Sequence, residues 1–441
     1  MTDTIFALAS GRGRAGVAVI RVSGPAAAEA LTALTGVGQP QPRVARRTQF
    51  LNPVDGSLLD DGLALWFPAP DSFTGEDVCE LHGHGGPAVV AALLAALGQV
   101  PGLRPAEAGE FTRRAFESGK LDLTAAEGLA DLIAAETEAQ RRQARRQADG
   151  ELGRLYEDWR ARLVRALALI EAEIDFSDED LPGGLHAGVL ETVTALDADM
   201  AAHLDDNHRG ERLRGGLYLA IVGAPNVGKS SLLNLLARRD AAIVSGTAGT
   251  TRDVIEAHLD LGGYPLCAAD TAGLNAAAAD EIESEGIRRA LLRAADADLK
   301  LAVFDASAEV DAATAALIDG DTLVVFNKCE LAASVPESLG GRPVLALSVK
   351  TGDGVAALEH QLIAECAARL AGDDGPALSR PRHRAALTEC RAALARFRGA
   401  ADIELAAEDL RLAARSLGRI TGRVDVEDLL DVIFSEFCIG K

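Results

Sequence analysis

The stretch Gly223-Ala-Pro-Asn-Val-Gly-Lys-Ser230 decides the fold of the central part of the chain. It follows the apolar run 218–222 and opens a helix-like run, which is the strand, loop and helix context of a phosphate-binding P-loop. Backbone N–H groups of such a loop point at phosphate oxygens, and the helix N-terminus adds partial positive charge. We expect Lys229 to reach the β- and γ-phosphates of a nucleotide and Ser230 to bind Mg²⁺.

Three further motifs stand at the ends of later apolar runs. They are Asp270-Thr-Ala-Gly273, Asn327-Lys-Cys-Glu330 and Ser348-Val-Lys350. Strand-like and helix-like runs alternate here, which predicts a mainly parallel sheet covered by helices. Asp270 is expected to hold the magnesium shell, and the amide of Gly273 to lie near the γ-phosphate. The carboxylate of the Asn-Lys-x-acid motif accepts hydrogen bonds from guanine N1 and N2, which adenine cannot supply, so GTP is favoured over ATP.

Two positions depart from the usual pattern of GTP-binding domains. Glu330 stands where Asp is usual, and because its side chain is one methylene longer we expect weaker guanine affinity or selectivity. Leu274 stands where Ras-like proteins carry a Gln that orients the attacking water. Leucine cannot orient water, so another group must do so. The sequence offers Asn226, the loop 245–253, and the carboxylates Asp280, Glu281, Glu283 and Glu285.

The remaining sequence predicts a multidomain protein of mixed α/β and all-α class. Residues 1–118 alternate short β-like runs with Gly/Pro turns, which indicates a small α+β domain. Residues 119–214 and 373–441 carry apolar residues at three- and four-residue steps, which indicates two parts of one helical bundle domain. Residues 215–372 then form a Ras-like P-loop domain inserted into that helical domain.

Composition limits the location and the partners of the protein. The 441 residues have a formal charge of −22, so an RNA partner requires a local basic patch or a helper protein. Arg141, Arg142, Arg145 and Arg146 form one candidate patch, although a solvated helix face is the favoured interpretation. The longest apolar run, 88–97, is too short to span a bilayer, and no signal-peptide pattern is present. We expect a soluble, cytoplasmic protein without membrane contact, whose six scattered cysteines are reduced.

The whole chain resembles the tRNA-modification GTPase family MnmE, also called TrmE. The similarity is carried by specific motifs along the sequence. Besides the P-loop with Asn226, these are Gly11-Arg-Gly-Arg-Ala-Gly-Val-Ala-Val-Ile-Arg21-Val-Ser-Gly24, Ser72-Phe-Thr-Gly-Glu-Asp-Val-Cys-Glu80-Leu-His-Gly-His-Gly-Gly86, Gly109-Glu-Phe-Thr-Arg-Arg-Ala-Phe116, Lys120-Leu-Asp-Leu123, Gly249-Thr-Thr-Arg-Asp253 and Phe437-Cys-Ile-Gly-Lys441.

By this resemblance, the N-terminal domain binds a tetrahydrofolate one-carbon donor, 5,10-methylenetetrahydrofolate or 5-formyltetrahydrofolate, across a homodimer. Arg21, Glu80 and Lys120 are the matching contacts, with Lys441 close by. A pterin edge requires a carboxylate partner and a glutamate tail requires cations, which suits these residue types. The neighbouring His82 and His84 are expected in a Gly-rich turn, with a loop role preferred to a metal site because no further ligand is evident.

The resemblance also implies a potassium-activated GTPase. Its nucleotide and ions are bound by Gly223, Asn226, Val227, Gly228, Lys229, Ser230, Ser231, Ser245, Gly246, Thr247, Ala248, Gly249, Thr250, Thr251, Asp270, Thr271, Ala272, Gly273, Asn327, Lys328, Glu330, Ser348, Val349 and Lys350. Among these, Asn226, Ser245, Thr247 and Thr250 are the K⁺ ligands, whereas Ser230 and Thr251 bind Mg²⁺. The family's water-orienting glutamate aligns best with Glu283, and Glu281 is the lesser candidate.

In the family's reaction, the GTPase acts with the FAD protein MnmG in a heterotetramer on C5 of the wobble uridine, position 34, of certain tRNAs. A folate-derived carbon and GTP hydrolysis contribute to a (carboxymethyl)aminomethyl-type product. Cys438 is a candidate nucleophile for this chemistry, and a small apolar residue beside Phe437 and Ile439 is an equally good interpretation.

Two other functional classes are compatible with a GTP-binding domain. A ribosome-assembly GTPase switch is the first alternative, since related P-loops with Asn occur in that class. It usually carries a basic RNA-binding module, and the acidic helical tail ending in Cys438 argues against it. A membrane-associated GTPase scaffold is disfavoured because the sequence lacks both a transmembrane run and a polybasic amphipathic helix.

Overall fold

The computed structural model describes residues 3–175, 185–239, 256–270, 297–372, 375–424, 427–435, 437 and 439–440. The chain forms two compact units that alternate along the sequence. The first comprises Met1–Ala130, Gln147–Val193 and Glu389–Lys441, and the second comprises Asp131–Arg146 and Thr194–Thr388. The domain boundaries that the sequence predicts after residues 118, 214 and 372 remain predictions.

Helices dominate the described chain outside two sheets. They are α1 (Ala27–Thr35), α2 (Pro87–Leu97), α3 (Glu110–Glu117), α4 (Leu123–Ala134), α5 (Glu138–Ala148), α6 (Glu151–Asp175), α7 (Leu185–Leu204), α8 (Arg209–Gly215), α9 (Lys229–Arg239), α10 (Ala312–Ala315), α11 (Val355–Leu370), α12 (Pro381–Gly399), α13 (Ile403–Thr421) and α14 (Glu427–Ser435). Among the described residues, no helix is long and apolar enough to cross a membrane.

The first unit contains a mainly antiparallel sheet, as the α+β pattern predicts. Its strands are β1 (Thr4–Leu8), β2 (Ala15–Ser23), β3 (Arg46–Leu51), β4 (Leu58–Phe67), β5 (Val78–Gly85) and β6 (Leu103–Pro105), in the order β3-β4-β5-β2-β1-β6. On one face, Ile20, Phe50 and Leu81 pack with Leu31 of α1 and Leu93 of α2 in a buried core. Because side chains alternate along a strand, the neighbours of Ile20 and Leu81 point to the opposite face.

Two long helices of the same unit, α6 and α13, pack against each other. The apolar stripe of α6 is buried at three- and four-residue steps, at Leu152, Tyr156, Trp159, Leu163, Ala166 and Ile170. This confirms the helical packing that the sequence predicts.

The second unit contains a mostly parallel sheet, which confirms the predicted α/β arrangement. Its strands are β7 (Leu217–Val222), β8 (Glu256–Leu261), β9 (Tyr264–Asp270), β10 (Leu299–Asp305), β11 (Thr322–Asn327), β12 (Ser338–Leu339) and β13 (Arg342–Ala346), in the order β12-β13-β11-β10-β7-β9-β8. The pairs from β13 through β9 are parallel, and β8 and β12 are antiparallel edge strands. Both edge strands escaped the sequence analysis, because β8 mixes polar and apolar residues and β12 is two residues long.

Arg114 of α3 is an almost fully buried cation, 1% exposed, in the first unit. Its guanidinium donates to Asp3 Oδ1 (3.0 Å), Glu76 Oε2 (3.1 Å) and Glu110 Oε1 (3.0 Å). Burial alone lowers the pKa of an arginine, but the bonds to Glu110 and Glu76 outweigh it and raise the pKa of Arg114. The cluster holds α3 against the loop that precedes β5.

Replacing Arg114 with Met should reduce the free energy of unfolding of this unit by about 3 kcal/mol, since it removes a buried cation and leaves partly buried carboxylates without it. Urea denaturation followed by circular dichroism measures the change. The control is Arg113→Met, which removes half-exposed ion pairs to Glu117 and Asp431 and should cost under about 1 kcal/mol. Equal losses in the two variants would show that the ion pairs of Arg114 contribute no more stability than the exposed ion pairs of Arg113.

Candidate nucleotide-binding site

The P-loop joins β7 to α9, and its backbone at Gly228 lies close to Asn327 of the Asn-Lys-x-acid motif. Val222 ends the strand and Lys229 begins the helix. Gly228 has a φ of 102°, and a Cβ on it would lie 2.3 Å from Asn327 Nδ2. A side chain at position 228 is therefore excluded both by conformation and by space.

Lys229 is the cation of the P-loop. It is 5% exposed, and its Nζ donates to the carbonyl oxygens of Gly223 (2.7 Å) and Ala224 (2.9 Å). These bonds hold the ammonium group inside the curve of the loop at the N-terminus of α9. Backbone N–H groups, the helix dipole and a lysine converge there, which is the chemistry that binds phosphate.

Asn327 connects the P-loop with the segment after β13. Its side chain is 3% exposed; Nδ2 donates to the carbonyl oxygen of Val227 (2.8 Å), and Oδ1 accepts from the backbone N–H of Val349 (3.0 Å). A single amide thus fixes three separate loops relative to each other.

Lys328 connects the same motif to β10. It adopts a φ of 66°, and its Nζ donates to the carbonyl oxygen of Asn226 (2.9 Å) and to Asp305 Oδ2 (2.6 Å). Burial raises the pKa of Asp305, but the hydrogen bonds from Lys328 and Ser307 outweigh it and keep that pKa below its usual value. The sequence analysis missed Asp305; its position directly at the carboxyl end of a parallel strand was the available signal.

The residues predicted to recognise guanine lie on two adjoining turns. Glu330 is exposed and sits in the short 3₁₀ turn Cys329–Leu331. The N–H of Cys329 donates to the carbonyl oxygen of Leu347 (3.2 Å), which places this turn beside Ser348. Ser348 is fully buried, and its Oγ accepts from the N–H of Thr351 (3.1 Å). The structure therefore brings together the P-loop, Asn327–Glu330 and Ser348–Lys350.

Several predicted site residues lie outside the described residues. They are Ser245, Gly246, Thr247, Ala248, Gly249, Thr250, Thr251, Thr271, Ala272, Gly273, Glu283, Cys438 and Lys441. Asp270 ends β9, where it pairs in register with Ile221. Asn226 and Ser230 are exposed on the P-loop and the first turn of α9, and Asn226 takes a φ of 63°, which Asn tolerates.

A second polar cluster lies in the first unit, on the sheet face opposite α1 and α2. Arg21 of β2 and Glu80 of β5 are register partners, and Glu80 Oε1 accepts from Arg21 Nε (3.1 Å) and Nη2 (3.0 Å). The Arg21 guanidinium lies 5.2 Å from the ring centroid of Phe73 and 5.8 Å from that of Phe111. The structure thus places together two of the residues predicted to contact folate.

The third predicted folate residue, Lys120, is exposed on the turn after α3. Its Cε lies 3.6 Å from where a Cβ on Gly75 would stand, in the loop that also carries Phe73. His82 and His84 belong to β5, so the predicted Gly-rich turn is wrong at this point. The glycines at 83 and 85 alternate with the histidines along an ordinary strand.

The C-terminal tail reaches the N-terminal sheet within the first unit. Ile439 forms an antiparallel bridge with Ala108. Gly440 has a φ of 99°, and a Cβ on it would lie 2.0 Å from the carbonyl oxygen of Leu8. The tail therefore passes close to β1, and glycine at 440 permits that approach.

Replacing Asn327 with Ala should weaken GTP binding by about 2 kcal/mol, or roughly thirtyfold, because two buried hydrogen bonds that hold the site are lost. Titration with a fluorescent GTP analogue measures the dissociation constant. Asn234→Ala, an exposed asparagine on α9, is the control and should leave the constant unchanged. If both variants bind equally well, the amide bridge does not organise the site.

Replacing Glu330 with Asp should tighten binding of guanine nucleotides by about fivefold, or roughly 1 kcal/mol, since the shorter side chain restores the usual reach to guanine N1 and N2. The same titration with GDP and with inosine diphosphate, which lacks the 2-amino group, separates affinity from selectivity. A Glu330→Asp protein with the parental affinity for GDP would show that the extra methylene is neutral.

Comparisons with known proteins cover the chain from end to end. A profile described as "GTP-binding protein TrmE N-terminus" matches residues 4–120, and one described as "MnmE helical domain" matches residues 123–438. The "tRNA modification GTPase MnmE" of Paramagnetospirillum magneticum is 61% identical over 100% of both chains, and that of Parvibaculum lavamentivorans is 58% identical over 100% of both.

A human relative carries a different name. The mitochondrial "5-taurinomethyluridine-[tRNA] synthase subunit GTPB3" of Homo sapiens is 50% identical, over 99% of this chain and 93% of its own length. Identity at this level over whole chains shows a shared fold and family. The chain therefore belongs to the MnmE (TrmE) family of tRNA modification GTPases and is a GTP-binding, GTP-hydrolysing enzyme.

Proposed function

We propose that this GTPase acts with an MnmG-type FAD protein, in a heterotetramer, to modify C5 of the wobble uridine of certain tRNAs. The product is a (carboxymethyl)aminomethyl derivative, and a folate one-carbon unit and GTP hydrolysis both contribute. The observation that carries the proposal is that similarity to named tRNA modification GTPases spans the whole chain, including the N-terminal sheet and the C-terminal tail. The name of the human relative specifies a uridine of tRNA that is substituted at position 5, which supports C5 as the modified atom.

The nucleotide site supplies hard oxygen ligands that suit Mg²⁺ and K⁺. Ser230, exposed on the first turn of α9, would hold Mg²⁺ with Thr251. Asn226, exposed on the P-loop, would hold K⁺ with Ser245, Thr247 and Thr250, and hydroxyl, amide and carbonyl oxygens are suitable donors. When bound, K⁺ would help to neutralise the negative charge that develops on the phosphates during hydrolysis.

In this proposal, a glutamate of the chain positions the attacking water. With Leu274 in the usual position of the Ras-like glutamine, Glu283 would orient the attacking water and accept its proton. The new bond to the γ-phosphorus would form as the bond to the β–γ bridging oxygen breaks, with GDP as the leaving group. Lys229 would meanwhile leave the carbonyl oxygens of Gly223 and Ala224 for the β- and γ-phosphate oxygens.

Reduced folate would bind on the open sheet face of the first unit, across a homodimer. The residues present fit such a ligand: Arg21 and Glu80 form a half-buried ion pair beside the rings of Phe73 and Phe111, and Lys120 supplies a cation. Lys441 would lie nearby, since Gly440 approaches Leu8 of the same sheet. When bound, 5,10-methylenetetrahydrofolate or its 5-formyl counterpart supplies the one-carbon unit.

Cys438 is the proposed nucleophile for the uridine. Its sequence neighbours Ile439 and Gly440 lie against Ala108 and Leu8. We place the reaction in the cytoplasm, where the tRNA substrate is found.

Deleting the gene should remove the modified wobble nucleoside from the affected tRNAs, because no other step in this proposal installs the C5 group. Mass spectrometry of hydrolysed tRNA measures the loss. The gene for Cys438→Ser should fail to restore the nucleoside while its protein retains GTP turnover, and the wild-type gene should restore it. Normal nucleosides combined with defective ribosomal subunits in the deletion strain would instead favour the ribosome-assembly switch.

GTP turnover should fall by about tenfold or more when Na⁺ replaces K⁺ at equal ionic strength, since the smaller ion cannot keep the same contacts to the phosphates. Steady-state phosphate release in KCl and NaCl measures the effect. Asn226→Ala should lose most of the potassium dependence, and Glu283→Ala should slow hydrolysis while retaining GTP binding. Equal rates in the two salts would contradict the potassium mechanism and leave the GTPase assignment intact.

A further inference from the structure

Glu80 on the open face of the N-terminal sheet is held by two different side chains. Arg21, across the sheet on β2, occupies Oε1 with two hydrogen bonds, at 3.1 and 3.0 Å. His82, two residues along β5 on the same face, donates from Nε2 to Oε2 at 3.0 Å. The side chains of Arg21, Glu80 and His82 are 18%, 16% and 26% exposed. All three are thus partly shielded and still reachable by a ligand.

The number of free acceptor positions on Glu80 limits how many hydrogen bonds a ligand can donate to it. A carboxylate has about four acceptor positions, and Arg21 takes both of those on Oε1 while His82 takes one on Oε2. One position remains, and it is on the oxygen that His82 orients. A carboxylate accepts and does not donate, so the bonded nitrogen of His82 carries the proton.

We infer that His82 is a positioning residue of the folate site, whose Nε2–H fixes Glu80 so that Oε2 accepts one N–H of the pterin. The inference rests on the proposed binding of reduced folate to this face. It adds to that function a residue that contacts Glu80 rather than the ligand. The pterin would then meet Glu80 through a single donor, because Arg21 already occupies Oε1.

The charge state of Glu80 agrees with this arrangement. Burial by itself raises the pKa of Glu80, but the hydrogen bond from His82 and the charge and hydrogen bonds of Arg21 outweigh it, and the pKa lies below its usual value. Glu80 is therefore ionised near neutral pH and serves as an acceptor. A ligand with an N–H at this point is favoured over one with a lone pair.

His84 provides a matched control on the same strand. Its Nδ1 lies 2.7 Å from Asp60 Oδ1, and its backbone N–H donates to Asp60 Oδ2 at 2.7 Å. The side chain is 65% exposed. The two histidines share one face of β5 but bind different carboxylates, so a change at His84 should leave Glu80 untouched.

The first measurement is calorimetry of 5-formyltetrahydrofolate binding to the full chain. His82→Leu should weaken the affinity by about tenfold or more, since a hydrogen bond to a charged group is lost. His82→Gln keeps an N–H donor and should stay within about threefold of the wild type. His84→Gln should bind like the wild type.

The second measurement needs no folate. Carbon-13 NMR of the side-chain carboxyl of Glu80, assigned with Glu80→Gln, follows its titration in each protein. The Glu80 pKa should rise in His82→Leu and stay unchanged in His84→Gln. A residue that merely stabilises the fold would lower the unfolding temperature without moving this titration.

The possible outcomes separate the inference from the function on which it rests. Wild-type protein that binds folate, together with unchanged affinity and unchanged Glu80 titration in His82→Leu, overturns the inference and leaves folate binding in place. A folded wild-type dimer that binds no reduced folate overturns the proposed folate function, and the positioning role with it. Weakened binding in His82→Leu, with recovery in His82→Gln and a raised Glu80 pKa, supports both.

Discussion

The nucleotide site depends on the parallel pairing of the central strands in the second unit. Ile221 of β7 is opposite Asp270 of β9, and Asp305 of β10 is opposite Asn327 of β11. Parallel strands end at the same edge of a sheet, so the segments that follow β7, β9, β10 and β11 converge. A slip of one residue in any pair would turn the side chains of that strand to the other face and remove its contribution to the site.

Side chains of the base-recognition motif then hold the phosphate-binding loop in place. Asn327 bonds to Val227 and Val349, and Lys328 bonds to Asn226 and Asp305. The segments predicted to recognise the base and to bind phosphate are therefore linked directly, because Asn327 and Lys328 hydrogen-bond to the P-loop. Because these hydrogen bonds already order the loops, a nucleotide that binds there should lose less conformational entropy in ordering them. Its affinity is then correspondingly higher.

Two arginines of the first unit differ in burial, which fits a structural role for Arg114 and the proposed folate-binding role for Arg21. Arg114 is 1% exposed and is surrounded by three carboxylates, so its bonds serve the fold. Arg21 bonds to a single carboxylate and its side chain is 18% exposed, on a sheet face that α1 and α2 leave uncovered. Both belong to motifs that the family resemblance uses, and the sequence alone does not distinguish their tasks.

The sequence by itself determined the order of the P-loop, the Asp-x-x-Gly motif and the two guanine motifs, and with it the α/β class and the choice of GTP. These features are local, since each depends on a few consecutive residues beside a strand or helix. Tertiary structure alone decided that Asp305 secures Lys328, that His82 and His84 lie on a strand with separate carboxylate partners, and that Arg114 is buried. Most of these contacts join residues far apart in the chain, such as Asp305 with Lys328 and Arg114 with Asp3, and contacts of that kind leave no periodic trace in the sequence. The bond of His82 to Glu80 spans only two residues, and it depends on both side chains lying on one face of β5.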